Sequence, residues 1–158
     1  MRFYAHIAFG LLLSGFVISD WSPVLFFLVL FFSLLPDLDY PYSLLGGLLP
    51  SVSVFLFKRY GHRGLLHSVY VPVSLIVDFF LFGNQVALVV GLVYTSHIVL
   101  DMFTKRGVEL FSPLTWSFVL LDGDLESNNL KHNLTVTLLS LVGFFAWYYY
   151  KDFFLGFF

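Results

Sequence analysis

The chain of 158 residues is 59% hydrophobic and 11% charged, with 21 phenylalanines and a net charge of −2. Soluble domains carry about 25% charged residues, so that class is excluded, and a slight negative charge without a basic tract argues against nucleic acid as a partner. The lack of cysteine excludes disulfides and thiolate metal sites.

What these limits leave is a single all-α domain over residues 1–158, a polytopic membrane helical bundle with about five spans. The predicted spans are residues 3–19, 22–36, 68–82, 86–103 and 133–150. The first could pass for a signal peptide, with Arg2 ahead of an apolar run. It lacks an A-x-A-like cleavage site and reads as a retained span. Asp20, Trp21 and Pro23 turn the chain into the second span, and Gly83-Asn84-Gln85 joins the third to the fourth. A further apolar stretch, "SLLGGLLPSVSVFLF" at 43–57, is interrupted by Gly46, Gly47 and Pro50 and is expected to be re-entrant or interfacial.

Charge sets the expected orientation. Five spans place Arg2, Lys58, Arg59, Arg63, Lys105, Arg106 and Lys131 on one side and Lys151 alone on the other. The first side is then cytoplasmic, in an inner membrane crossed several times. If 43–57 spanned, Lys58, Arg59 and Arg63 would leave the side of Arg2.

Polar residues gather at that same side. His6 opens the first span, Asp37 and Asp39 follow the second in "LPDLDY", "GHRGLLHS" puts His62 and His67 before the third, and "SHIVLD" ends the fourth with His97 and Asp101. Polar groups within spans are expensive and default to function. His97 and Asp101 are four residues apart, one face of a helix turn, as two ligands to one metal require. Imidazole and carboxylate without thiolate suit zinc foremost, with manganese or iron as alternatives, at one to three ions.

Each group also has an ordinary reading. The aspartates could be solvated headgroup-level charge, His6 a hydrogen-bonded bundle residue, His97 with Asp101 a helical hydrogen-bonded pair, and Arg63 a positive-inside charge. His132, in "LESNNLKHN", and Asp122, Asp124 and Glu126 around Gly123 read as solvated, and Asp78 as an outer-interface residue.

With "LPDLDY", "HRGLLHS" and "SHIVLDMFTKRGVELFSP" after an early histidine, residues 1 to about 116 resemble the membrane-bound metal-dependent hydrolases of prokaryotic inner membranes, called YdjM-like or LexA-binding. Leu66 stands where many members carry threonine. A more distant resemblance is to zinc-dependent phospholipase C and P1 nuclease. The resemblance implies metal ligands at His6, Asp37, Asp39, His62, His67, His97 and Asp101.

The expected activity is hydrolysis of an amphiphilic substrate, a phospholipid or lipid-linked phosphate, at the cytoplasmic face. Asp37 or Asp39 would take a proton from water, Arg63 would hold the substrate anion or pair with a ligand carboxylate, and Ser68 and Ser96 would support neighbouring ligands. A metal transporter would place its ligands near the bilayer midplane on discontinuous helices. A non-catalytic regulator or scaffold would keep a structural metal in a closed shell.

Overall fold

A computed structural model describes residues 1–114, 118–120 and 126–155, with side chains as far as Lys151. Its helices are α1 (Phe3–Gly15), α2 (Pro23–Leu34), α3 (Leu44–Leu48), α4 (Pro50–Tyr60), α5 (Tyr70–Phe82), α6 (Gln85–Met102) and α7 (Leu130–Leu155). Two 3-10 turns, Leu35–Asp39 and Leu65–His67, lie between them. Among the described residues the only β feature is an isolated antiparallel bridge between Val108 and Phe118.

The helix ends follow local chemistry. Ser22 caps α2 by accepting the Leu25 amide at 3.1 Å, with Pro23 at the first helical position, where its missing N–H is not needed. Gly83, at φ 69°, closes α5 in the left-handed conformation, and Asn84 then caps α6 by accepting the Ala87 amide at 3.2 Å. Thus α5 and α6 form a tight antiparallel pair.

Helix α6 is the axis of the bundle and buries Val89, Val90, Val93, Tyr94, Ile98 and Leu100. Helix α1 packs against α6, α7 and α2. Gly10 permits this close crossing: a Cβ there would strike the Ser33 hydroxyl and come within 3.4 Å of Val93. Small residues at crossings are the usual means of close helix approach in a membrane.

The five predicted spans correspond to α1, α2, α5, α6 and α7. Among the described residues only α6, with 18 residues or about 27 Å, is both long and apolar enough for a crossing by itself. Length and apolarity together therefore mark one crossing there, and the five expected spans are not supported. In the 43–57 stretch the chain breaks at Leu49 into helices of five and 11 residues, each too short to cross. His132, expected in a loop, lies in the first turn of α7 and accepts the Glu126 amide at 3.1 Å. Glu126 is exposed and pairs with Lys105 at 2.7 Å, and Asp78 accepts from Asn84 at the far end of α5. Asp122, Gly123 and Asp124 lie outside the described residues.

Candidate metal centre

Four segments meet at one end of the bundle. Pro36 ends α2 and tightens the chain into a 3-10 turn that carries Asp37 and Asp39. Gly61, at φ 76°, ends α4 and turns the chain back. It is followed by His62, by Arg63 at φ 66°, and by the turn holding His67. His6 comes from α1, and His97 and Asp101 from the last turns of α6.

One atom each from Asp37, His67, His97 and Asp101 lies within 4.8 Å of the other three. His67 Nε2 is 3.4 Å from Asp101 Oδ2 and 4.0 Å from Asp37 Oδ1. His97 Nε2 is 3.6 Å from Asp37 Oδ1 and 3.9 Å from Asp101 Oδ2. His67, His97 and Asp101 are fully buried, and Asp37 keeps 15% exposure.

The far side of each imidazole is fixed. His67 Nδ1 donates to Asp39 Oδ2 at 3.1 Å, and His97 Nδ1 donates to the Ser33 carbonyl at 2.7 Å. A proton held at Nδ1 leaves the Nε2 lone pair facing the group, the arrangement of histidine ligands generally. The two Nε2 atoms and Asp101 Oδ2 are buried without hydrogen-bond partners. Orphaned buried acceptors of this kind are costly, and a cation between them would satisfy all three. The residues present therefore fit a divalent ion with nitrogen and oxygen ligands.

Charge at the turns agrees. Burial pushes Asp37 up, but His97 beside it outweighs that and holds the carboxyl well below its usual range. Burial likewise opposes ionisation of Asp39, and His67 and His62 more than offset it. For His67, burial disfavours the imidazolium, yet the Asp39 carboxylate, with Asp101, raises it to about 9, so its Nε2 lone pair becomes available to a cation by release of a proton. Both turn carboxylates are thus ionised near neutral pH, as metal ligation and ligand support require.

The other predicted site residues play different parts. Asp39 is outside the four-atom group. Its Oδ1 faces His62 Nδ1 at 2.9 Å, and its Oδ2 takes His67 and the Arg63 amide, the latter at 3.0 Å. The sequence suggested a ligand or a base here, and in the structure both oxygens are taken by these three groups. His62 stacks on Tyr40 with ring centroids 4.6 Å apart and is also outside the group. His6 stacks on His97 at 3.7 Å, has neither ring nitrogen partnered, and puts Nε2 3.6 Å from Asp101 Oδ1.

Of the two parts the sequence leaves open for Arg63, the structure has it paired with a carboxylate. Its guanidinium donates to Thr104 Oγ1 at 2.6 Å, the Gly107 carbonyl at 3.2 Å and Ser127 Oγ at 3.4 Å, and pairs with Asp101 Oδ1 at 2.9 Å. A second cation, the Met1 ammonium, sits 2.6 Å from the same oxygen. Ser68 and Ser96 support no ligand, because each hydroxyl donates to a nearby carbonyl, of Leu65 and Val93 respectively. Leu66 contributes its backbone carbonyl, which accepts the Tyr94 hydroxyl at 2.6 Å.

Sequence reasoning missed Ser33, Thr104 and Asn133. Ser33 acts through its backbone, which no side-chain pattern reveals. Thr104 bridges Arg63 to the Asp101 carbonyl. Asn133 is fully buried and accepts the Arg2 amide at 2.7 Å, tying the start of α1 to α7. It sits in a polar run where nothing distinguishes it.

Asp37 and His62 reach from this centre into a cavity of about 410 Å³, lined also by Arg2, Arg106, Tyr42 and Leu44.

The fold and centre define a helical membrane protein with a buried histidine–aspartate group able to hold a metal ion. The chain belongs to the YdjM inner membrane protein family, whose profile matches residues 1–154. It is 38% identical over 96 residues to the inner membrane protein YdjM of Escherichia coli K12, covering 55% of this chain and 48% of that protein. The Shigella flexneri protein of the same name matches equally. The chain thus spans about half the length of these curated relatives. A Bacillus subtilis protein described as uncharacterized protein YvsG is 25% identical over 123 residues, 73% of either chain. No solved structure matches. None of these names carries a reaction, and none bears on the likeness to phospholipase C.

Proposed function

We propose that the protein is a multi-pass inner-membrane hydrolase that uses a divalent metal, zinc foremost, to cleave a phosphoester in a phospholipid or lipid-linked phosphate at the cytoplasmic face. The observation that carries this reading is the join between the centre and the cavity. Three orphaned buried ligand atoms lie beside Asp37, and Asp37 itself lines a 410 Å³ opening. A purely structural metal site is closed by protein ligands, whereas a catalytic one keeps a face open to substrate.

Asp37, His67, His97 and Asp101 would hold the ion, with Asp39 and the Ser33 carbonyl fixing the two imidazoles. Bound there, a divalent ion supplies a water of lowered pKa and polarises a phosphoryl oxygen. Both Asp39 oxygens are engaged, so the partly exposed Asp37 carboxylate is the acceptor for the water's proton. Hydrolysis there would join the water oxygen to phosphorus and break the ester P–O bond, with the leaving alkoxide taking its proton from solvent in the cavity.

Charge supports the orientation. Arg2, Arg63 and Arg106 surround one cavity, while Lys151 donates to the Ser19 carbonyl at the opposite end of α1. With α1, α2, α5 and α7 as further crossings, 12- and 13-residue helices reach only about 20 Å against a hydrocarbon core of about 30 Å. Such short helices bring the centre to headgroup depth. Ligands gathered at one end of the bundle also fit a transporter poorly.

The test pairs elemental analysis of purified protein with release of headgroup or inorganic phosphate from a panel of phospholipids and polyprenyl phosphates. Metal retained by the wild type, with turnover lost in Asp37→Asn, is the expected result. Metal-loaded protein that cleaves no member of the panel overturns the hydrolase reading in favour of a regulator with a structural metal.

A further inference from the structure

The lining of the cavity beside Asp37 combines two kinds of chemistry. Arg2 and Arg106 are both exposed, and their guanidinium groups make no hydrogen bond or ion pair among the described residues. Arg63 also lines the cavity but is already bound to Asp101, Thr104 and Gly107. Among the described residues Asp37 is the only carboxylate in the lining, so two cationic groups are left uncompensated. Tyr42 and Leu44 line it too, 87% and 51% exposed, and Leu48 and Phe55 of the broken α3–α4 segment are likewise exposed. Bare aromatic and aliphatic side chains beside short non-spanning helices mark a segment lying in the membrane interface.

We propose that this cavity binds a phosphate group carried on an apolar chain, with Arg106 and Arg2 holding the anion and Tyr42 and Leu44 receiving the start of the chain. The inference deepens the hydrolase reading and rests on it for the substrate's fate. It also moves the anion-binding role from Arg63, which is engaged, to two arginines that are not. Guanidinium groups hold phosphate oxygens with paired, charge-assisted hydrogen bonds. The cavity volume suits a headgroup and leaves the chain outside, along α3 and α4.

The test uses decylphosphonate, whose C–P bond no phosphoesterase cleaves, so binding is read apart from turnover. Wild type and variants in zwitterionic nanodiscs are titrated with decylphosphonate and, separately, with methylphosphonate, which has the same head and no chain. Decylphosphonate is expected to bind well ahead of methylphosphonate. Arg106→Ala and Arg2→Ala should each weaken it by about tenfold, and Arg106→Lys should recover part of the loss. Both arginines are exposed and unpartnered, so the variants should fold as wild type does. Undiminished binding in the Arg2→Ala/Arg106→Ala double variant overturns the proposal, as does equal affinity for the two phosphonates, which would make the ligand a free phosphate. Arginine-dependent binding without lipid cleavage keeps this site and removes the hydrolase. Lipid cleavage indifferent to both arginines does the reverse.

Discussion

Asp39→Ala is the most informative single change, because Asp39 belongs to the centre without lying among the four atoms that would hold the ion. Its removal frees His67 Nδ1 at 3.1 Å and His62 Nδ1 at 2.9 Å, and leaves the Arg63 amide without its acceptor at 3.0 Å. Loss of a carboxylate partner behind a ligating histidine weakens metal binding by about 10- to 100-fold. The buried Arg63 amide left unsatisfied costs about 1–3 kcal/mol. Arg63 sits at φ 66°, a strained conformation for a non-glycine residue that costs a similar amount, and Asp39 is part of what holds it there.

Metal competition against a chelator of known affinity, in detergent, reads the first effect, and thermal unfolding of the metal-free protein reads the second. Asp39→Ala should keep the wild-type metal stoichiometry at reduced affinity, whereas Asp101→Ala should lose the ion. Equal and complete loss in both variants would make Asp39 a ligand and refute the orienting role. Unchanged affinity in Asp39→Ala would refute it from the other side.

Three further outcomes follow from the same geometry. Arg63→Ala breaks a buried pair with Asp101 at 2.9 Å and should destabilise the protein by roughly 3–5 kcal/mol; a thermal midpoint equal to wild type contradicts the partners assigned to it. Removing metal by chelation should lower the thermal midpoint of wild type and restore the full value on adding zinc, and a midpoint indifferent to chelation in wild type would argue that no ion is held. Ser51→Cys lies exposed at the start of α4 in a chain that has no native thiol, and it should resist an impermeant reagent applied to intact cells. Labelling from outside would invert the proposed orientation.

Composition and hydrophobic periodicity were enough to locate all five long helices, because a run of apolar residues bounded by Pro, Gly and Asn has few other local solutions. Its weakness was length. The sequence runs look like spans, yet Pro36 and the chain's entry into short turns stop α2 after 12 residues, and among the described residues only α6 is both long and apolar enough to cross. The four-residue spacing of His97 and Asp101 was legible for the same local reason, since a helix turn stacks them whatever else surrounds them.

Local pattern could not decide what each polar group does once the segments meet. Asp37 and Asp39 are alike in sequence, but one faces His97 and the cavity while the other turns both oxygens to His62, His67 and the Arg63 amide. In sequence Arg63 could clamp a phosphate or pair with a ligand carboxylate, and it is Asp101, with Thr104 and Gly107 more than 40 positions away, that takes it. His97 takes its orientation from the carbonyl of Ser33, a backbone atom 64 positions away that every residue type would offer. The residue types at this centre are set by the sequence, but their roles depend on which donors and acceptors distant segments bring within about 3 Å. That is settled by packing, here by Gly10 letting α1 and α2 close around α6.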